Sequence, residues 1–297
     1  MEQDGVVATN EYIESELTNR LRKIEDVAEA DVLVCMHPIL PPLDDIIRNQ
    51  VEDIDDRKNS LMVILETLGG SIETAERIAD VFRYHYSKGE ICFLVPNFAM
   101  SAGTILVMSG DRILMDYYSV LGPIDPQIKG RNNTYVPALG YLDKFDQLIE
   151  KSRNGELTSA EIAFLLQKFD PAELHRFEQA REHSVDLLKK WLVKYKFKNW
   201  KMTAGSKRPV DDEMKSDRAK EIAEKLNDTK RWRSHSRGLS IQILRDELKL
   251  EVEDFGSEER HAPLNKLIRN YYRLLQDYMH RNDHGSVLHT RKSYRAH

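Results

Sequence analysis

No stretch of this 297-residue chain approaches the roughly 18 consecutive apolar residues that a membrane-crossing helix needs. The opening Met1-Glu2-Gln3-Asp4-Gly5 is acidic and lacks a basic region followed by an apolar run, so no signal peptide and a cytoplasmic location are expected. Cysteine is scarce. Cys35 and Cys92 are too few for a disulfide framework, and both sit in apolar runs, as buried reduced thiols would. There is no Walker Gly-Lys-Ser/Thr motif, no zinc-finger spacing and no RNA-recognition signature. A net charge of -5 gives the whole chain little pull on nucleic acid. Residues 189–237 are rich in Lys and Arg, but a basic stretch of this kind reads first as a solvated helical face. His280, His284, His289 and His297 match no metal-ligand spacing, and nothing in the chain implies a cofactor. His37, after the first apolar run, reads as a histidine satisfied in place.

What the chain has is an ordinary globular composition, 41% hydrophobic and 31% charged, enough for a sizeable core. Residues 11–28 carry Ile13, Leu17, Leu21, Ile24 and Val27 at loose helical spacing. Apolar runs follow at 31–37, 60–66, 90–95 and 112–115, with segments of helical period between them. Unbroken apolar strands alternating with helices predict a mostly parallel sheet covered on both faces. Beyond residue 140 the pattern is mainly helical, and from His280 onward it reads as a polar, mobile tail. The expected organisation is an N-terminal helical arm over 1–30, an α/β domain over 31–255, and a C-terminal helix with a polar tail over 256–297.

Ser101 is the sharpest chemical feature. In Ala99-Met100-Ser101-Ala102-Gly103 small residues flank a serine between an apolar strand and a short helix. That is a relaxed nucleophile-elbow pattern, which leaves the hydroxyl exposed at a helix N-terminus where negative charge is favoured. The same residues also fit a serine that merely caps its helix. Gly69-Gly70 closes the second strand and lets backbone N–H groups approach a ligand, or simply makes a tight turn. Ser71 could cap the helix that follows.

A Gly-Gly turn after one strand and Ser-Ala-Gly after the next, 31 residues on (101 − 70), resembles the Clp protease and signal peptide peptidase A superfamily. Leu121-Gly-Pro-Ile-Asp-Pro-Gln127 resembles its serine dehydrogenase proteinase family. The resemblance implies a Clp/crotonase-like α/β fold with a helical C-terminal half, peptide-bond hydrolysis through an acyl-enzyme, a peptide or protein substrate, and a homo-oligomer. It implies Ser101 as nucleophile, with the N–H groups of Gly70 and Ala102 as oxyanion donors. The proton acceptor is less defined. No histidine stands where Clp proteases carry one, within Leu121-Gly-Pro-Ile124. Relatives carry a histidine near the place of His235, which makes it the preferred base; Lys129 and Lys144 are alternatives. Asp125 either orients the base or braces its own turn. Two rivals remain: a catalytically inactive scaffold that binds peptides or a partner, and an acyl-CoA enzyme of the crotonase branch.

Overall fold

The computed structural model describes residues 2–124, 127–129, 135–203, 205, 207–232 and 237–296. It divides into two compact units, residues 1–122 with 238–297, and residues 123–237. Both boundaries between them, 122/123 and 237/238, fall inside the span 31–255 that the sequence reads as one domain.

The first unit begins with α1 (Glu2–Ala28), β1 (Asp31–Met36), α2 (Leu43–Glu52), β2 (Leu61–Glu66) and α3 (Ile72–His85). It continues through β3 (Ile91–Leu94), β4 (Phe98–Ala99), α4 (Ala102–Met108), β5 (Arg112–Met115) and β6 (Val120–Leu121). Its main sheet runs parallel through β5, β3, β2 and β1, because each connection is a helical crossover. Every residue of β1 is buried, as a strand covered on both faces requires. Alternation sorts the two faces. Val32, Val34, Met62, Ile64, Cys92 and Leu94 share one core with Leu17, Leu21 and Ile24 of α1. Phe93 points the other way and meets Phe82 of α3, with ring centroids 6.4 Å apart. Ser71 caps α3, its hydroxyl oxygen accepting from the Thr74 N–H.

Two expectations about the termini change. The N-terminal helix is no separate arm: Leu17, Leu21 and Ile24 recur every turn and are wholly buried against the sheet. The stretch after His280 is no featureless tail: residues 287–289 and 294–296 form strands. Its strands are numbered after those of the second unit, and they lie in the sheet described above.

In the second unit β7 (Gln127–Lys129) and β8 (Tyr135–Pro137) pair antiparallel. Helices α5 (Ala138–Arg153), α6 (Ser159–Lys168), α7 (Pro171–Trp191), α8 (Asp212–Leu226) and α9 (Thr229–Trp232) follow. Start signals are explicit: Thr158 and Glu161 form a reciprocal capping box for α6, and Asp170 caps α7 ahead of Pro171. The Tyr141 ring meets those of Phe169 and Phe177 at a tilt, centroids 4.7 and 4.6 Å away. The basic stretch is interleaved with acids, as in the Arg218–Glu221–Lys225 pairs along α8.

The chain returns to the first unit with β9 (Leu239–Ser240), α10 (Ile241–Asp246), β10 (Glu253–Asp254), α11 (Ala262–Arg281), β11 (Val287–His289) and β12 (Tyr294–Ala296). β10 joins β5 in parallel, while β11 and β12 add an antiparallel hairpin beside β1. Arg291 fixes that hairpin through Glu25 at 3.0 Å and Asp31 at 2.5 Å. α11 lays Ile268, Tyr271, Leu275 and Tyr278 into the core shared with α1. The result is a mostly parallel sheet covered by helices, with a helical unit inserted before the last strands.

Candidate functional site

Beyond β2 the sheet splays. Residues 98–99, 120–121 and 239–240 form a small three-stranded sheet, β4-β6-β9. Thr67 stitches it to β2: its N–H donates to the Phe98 carbonyl at 3.1 Å, and its carbonyl accepts from the Met100 N–H at 2.9 Å. The chain then turns at Ser101, with φ 52° and ψ -117°. A non-glycine residue in this region is strained and persists only where its surroundings over-determine it. They do here. Thr104 donates to the Ala99 carbonyl at 2.8 Å, and the Gly122 N–H donates to the same carbonyl at 3.2 Å. A Cβ on Gly103 would lie 2.4 Å from Thr67 Cγ2, and one on Gly122 would lie 3.1 Å from the Ser101 nitrogen.

Ser101 occupies the cap position of α4, yet its side chain makes no capping bond. Its residue is 8% exposed and its hydroxyl has no hydrogen bond among the described residues. The capping alternative therefore finds no support in the geometry: Ser101 stands at the cap position without making the capping bond.

The Gly69-Gly70 loop passes directly over this elbow. A Cβ on Gly69 (φ +99°) would lie 2.7 Å from the Met100 carbonyl and 2.8 Å from Ser101 Cβ. A Cβ on Gly70 (φ +152°) would lie 2.1 Å from the Ile39 carbonyl. Both positions thus exclude every other residue, by conformation and by space. The bonds of the loop divide in a telling way. The Gly69 N–H donates to Thr67 Oγ1 at 3.0 Å, its carbonyl accepts from Ile39, and the Ser71 N–H donates to Ile39. Among the described residues the N–H groups of Gly70 and Ala102 donate to nothing; Ala102 is the first residue of α4, whose leading donors have no intrahelical acceptor. A Cβ on Gly69 would sit 3.2 Å from the Ala102 nitrogen, so the loop and the helix start adjoin. Two unpaired donors beside a strained, uncapped serine can hold a developing oxyanion.

Thr67 is a residue that sequence reasoning missed, although a hydroxyl two residues before a Gly-Gly pair is the available signal. Thr67→Val should preserve shape while leaving the Gly69 N–H without an acceptor. The expected cost is about 1–3 kcal/mol in denaturant unfolding. Unchanged stability would show that the hydroxyl braces nothing.

The proton acceptor is not assembled among the described residues. His235 and Asp125 lie outside them, as does the Lys129 side chain. Lys144 is exposed on α5 in the second unit. His37 is half-buried at the end of β1, its Nδ1 2.7 Å from the Pro38 carbonyl, the contact of an N–H donor. Away from the elbow, Glu253, Glu258 and His261 gather within 4.8 Å of one another. Arg112 grips Glu253 through two bonds of 2.7 and 2.6 Å, and Arg260 bonds Glu258 at 2.7 Å. Guanidinium groups thus occupy carboxylate oxygens that a metal would need.

A second feature had no sequence signal. Glu66, the last residue of β2, accepts from the Tyr272 hydroxyl of α11, a partner 206 residues away. Burial pushes its carboxyl above the usual range, against the Tyr272 and Asn97 hydrogen bonds. The carboxyl lines a cavity of about 440 Å³ between the strand ends and α11.

A family model described as ClpP-like SDH-type serine proteinase matches residues 43–198. Two uncharacterized proteins of Methanocaldococcus jannaschii are similar. One is 30% identical over 190 residues, covering 64% of this chain and 51% of its own length. The other is 39% identical over 66 residues, 22% of each. The chain thus spans about half, or less, of these curated relatives. Among solved structures, a mutant of the 1510-N membrane-bound stomatin-specific protease aligns with TM-score 0.43 and 13% identity, over 75% of this chain and 79% of that one. A ClpP1 mutant from Listeria monocytogenes aligns with TM-score 0.41 and 13% identity, over 78% and 95%.

Proposed function

This chain belongs to the ClpP-like SDH-type serine proteinase family, and from that premise we propose that it hydrolyses peptide bonds through an acyl-enzyme on Ser101. The observation that carries the reading is the elbow: a strained serine at φ 52° that does not cap its own helix. Strain at a fixed, uncapped hydroxyl is what a nucleophile needs and what a structural serine would lose.

In the proposed reaction Ser101 Oγ attacks the scissile carbonyl carbon as the base takes its proton. The carbonyl oxygen becomes an oxyanion and accepts from the Gly70 and Ala102 N–H groups. Collapse expels the amine, which receives the proton from the base, and water then hydrolyses the ester by the same route in reverse. Each oxyanion donor is worth roughly 10²–10³ in rate where such donors have been removed. His235 is the proposed base: a serine hydroxyl needs a neighbour to take its proton, and imidazole titrates near neutral pH.

A fluorophosphonate probe tests this directly. Wild-type protein should form one covalent adduct on Ser101, Ser101→Ala should form none, and His235→Ala should react far more slowly. A folded wild type that forms no adduct overturns the reading in favour of a peptide-binding scaffold. Unchanged labelling of His235→Ala would move the base to a lysine.

A further inference from the structure

We propose that the cavity beside the glycine loop is a subsite for a lysine or arginine side chain, whose cationic head is taken by Glu66. It rests on the peptidase reading only in naming a peptide as the ligand.

The register builds the site. Met36 pairs with Glu66, and Thr67 with Ala99, so Met36, Glu66 and Phe98 stand side by side on one face. That face opens into the cavity of about 440 Å³, whose walls include Met36, Pro38, Leu68, Phe98 and, from α11, Met279. Five apolar or thioether walls and a carboxylate at the strand end match a long aliphatic stem tipped with charge. Glu66 is held for that task. Tyr272 donates to one carboxylate oxygen, and Gln276 Nε2 donates to the Tyr272 hydroxyl at 2.6 Å. Both are neutral donors. Among the described residues no lysine or arginine contributes to the charge balance of this carboxylate, unlike Glu25, Asp31, Asp116 and Glu253, each of which has an arginine. A carboxylate removed from water without a cation is costly, and a cationic ligand supplies the missing partner.

Position links the cavity to the elbow. Glu66 stands three residues before Gly69, whose backbone abuts Ser101. Three residues of extended chain span about 10 Å. A peptide lying along the glycine loop can therefore place one side chain in the cavity while another residue meets Ser101. His37 and His280 also line the cavity. They would favour an anion if they carried charge, so the sign of the ligand is the quantity to measure.

Binding to full-length Ser101→Ala protein reads the cavity without cleavage. Fluorescent peptides of one sequence, differing at a single scanned position as Lys, Arg, norleucine or Glu, would be titrated by anisotropy. Lys and Arg peptides should bind at least tenfold more tightly than the norleucine isostere at one position. Glu66→Gln should bring that ratio close to one, and Met279→Trp, which fills the cavity and leaves Glu66 in place, should weaken the cationic peptides. Equal affinities, preference for the Glu peptide, or a ratio preserved in both variants would overturn the proposal. Cation selectivity in a protein that no fluorophosphonate labels would overturn the peptidase reading alone.

Discussion

Ser101→Gly is expected to raise the melting temperature while removing the proposed peptide hydrolysis. The elbow holds a residue with a Cβ at φ 52° and ψ -117°. Glycine adopts such backbone freely, so the substitution releases strain of order 1–3 kcal/mol. Part of that gain is lost, because glycine adds entropy to the unfolded chain; a net stabilisation of about 1 kcal/mol is expected. Ser101→Ala keeps the strain and should leave the melting temperature near that of the wild type. Both variants should lose roughly 10⁴–10⁶-fold in kcat, the scale on which nucleophile removal acts in serine proteases. Calorimetry of the three proteins, beside a fluorogenic peptide assay, separates the two effects. A glycine variant less stable than the alanine variant would show that the elbow is not strained and would remove the main support for a catalytic serine.

The second large effect concerns acid. His289 is fully buried in β11. Its Nε2 is 3.2 Å from Thr18 Oγ1, and its Nδ1 is 2.8 Å from the Tyr271 hydroxyl. The Thr18 hydroxyl already donates to the Glu14 carbonyl, so its oxygen accepts from His289 Nε2–H. Nδ1 then accepts from the Tyr271 O–H. The neutral ring is satisfied on both nitrogens. Burial depresses its pKa to about 3. Above pH 6.5 the ring is neutral folded and unfolded alike, and its contribution is complete. As pH falls below 6.5 the unfolded chain takes a proton that the folded chain refuses until about pH 3. Stability drains away across that window at about 1.4 kcal/mol per pH unit, roughly 2 kcal/mol by pH 5. His289→Gln retains a donor and an acceptor without titrating. Urea unfolding at pH 7 and pH 5 should therefore show a loss in the wild type about 2 kcal/mol larger than in the variant. Equal losses would mean that the buried ring is not the acid-sensitive group.

Both predictions rest on residues that the sequence treats very differently. Ser101 and Gly69-Gly70 stand out in the chain because their requirements are local. A strand-to-helix elbow needs small neighbours, and a positive φ against a carbonyl admits only glycine. Those constraints write themselves into consecutive residues. The alternation of strands and helices was legible for the same reason, since β1, β2, β3 and β5 are unbroken apolar runs separated by helices of clear period.

His289 gave no such sign. The residues after His280 are polar in composition and read as a tail, yet they pair with β1 and bury a histidine. Their polarity is consumed by partners far away in sequence: Arg291 by Glu25 and Asp31, and His289 by Thr18 and Tyr271. Glu66 reads as an unremarked strand terminus until α11 brings Tyr272 against it. The sequence by itself determined the alternating strands and helices, the elbow and the glycine loop, because neighbouring residues set backbone conformation. Only the tertiary structure decided that the C-terminal hairpin completes the sheet while α1 packs against it, and that among the described residues a carboxylate stands without a cation beside the glycine loop. Whether a buried polar group is satisfied depends on which distant segment arrives opposite it, and no local pattern records that.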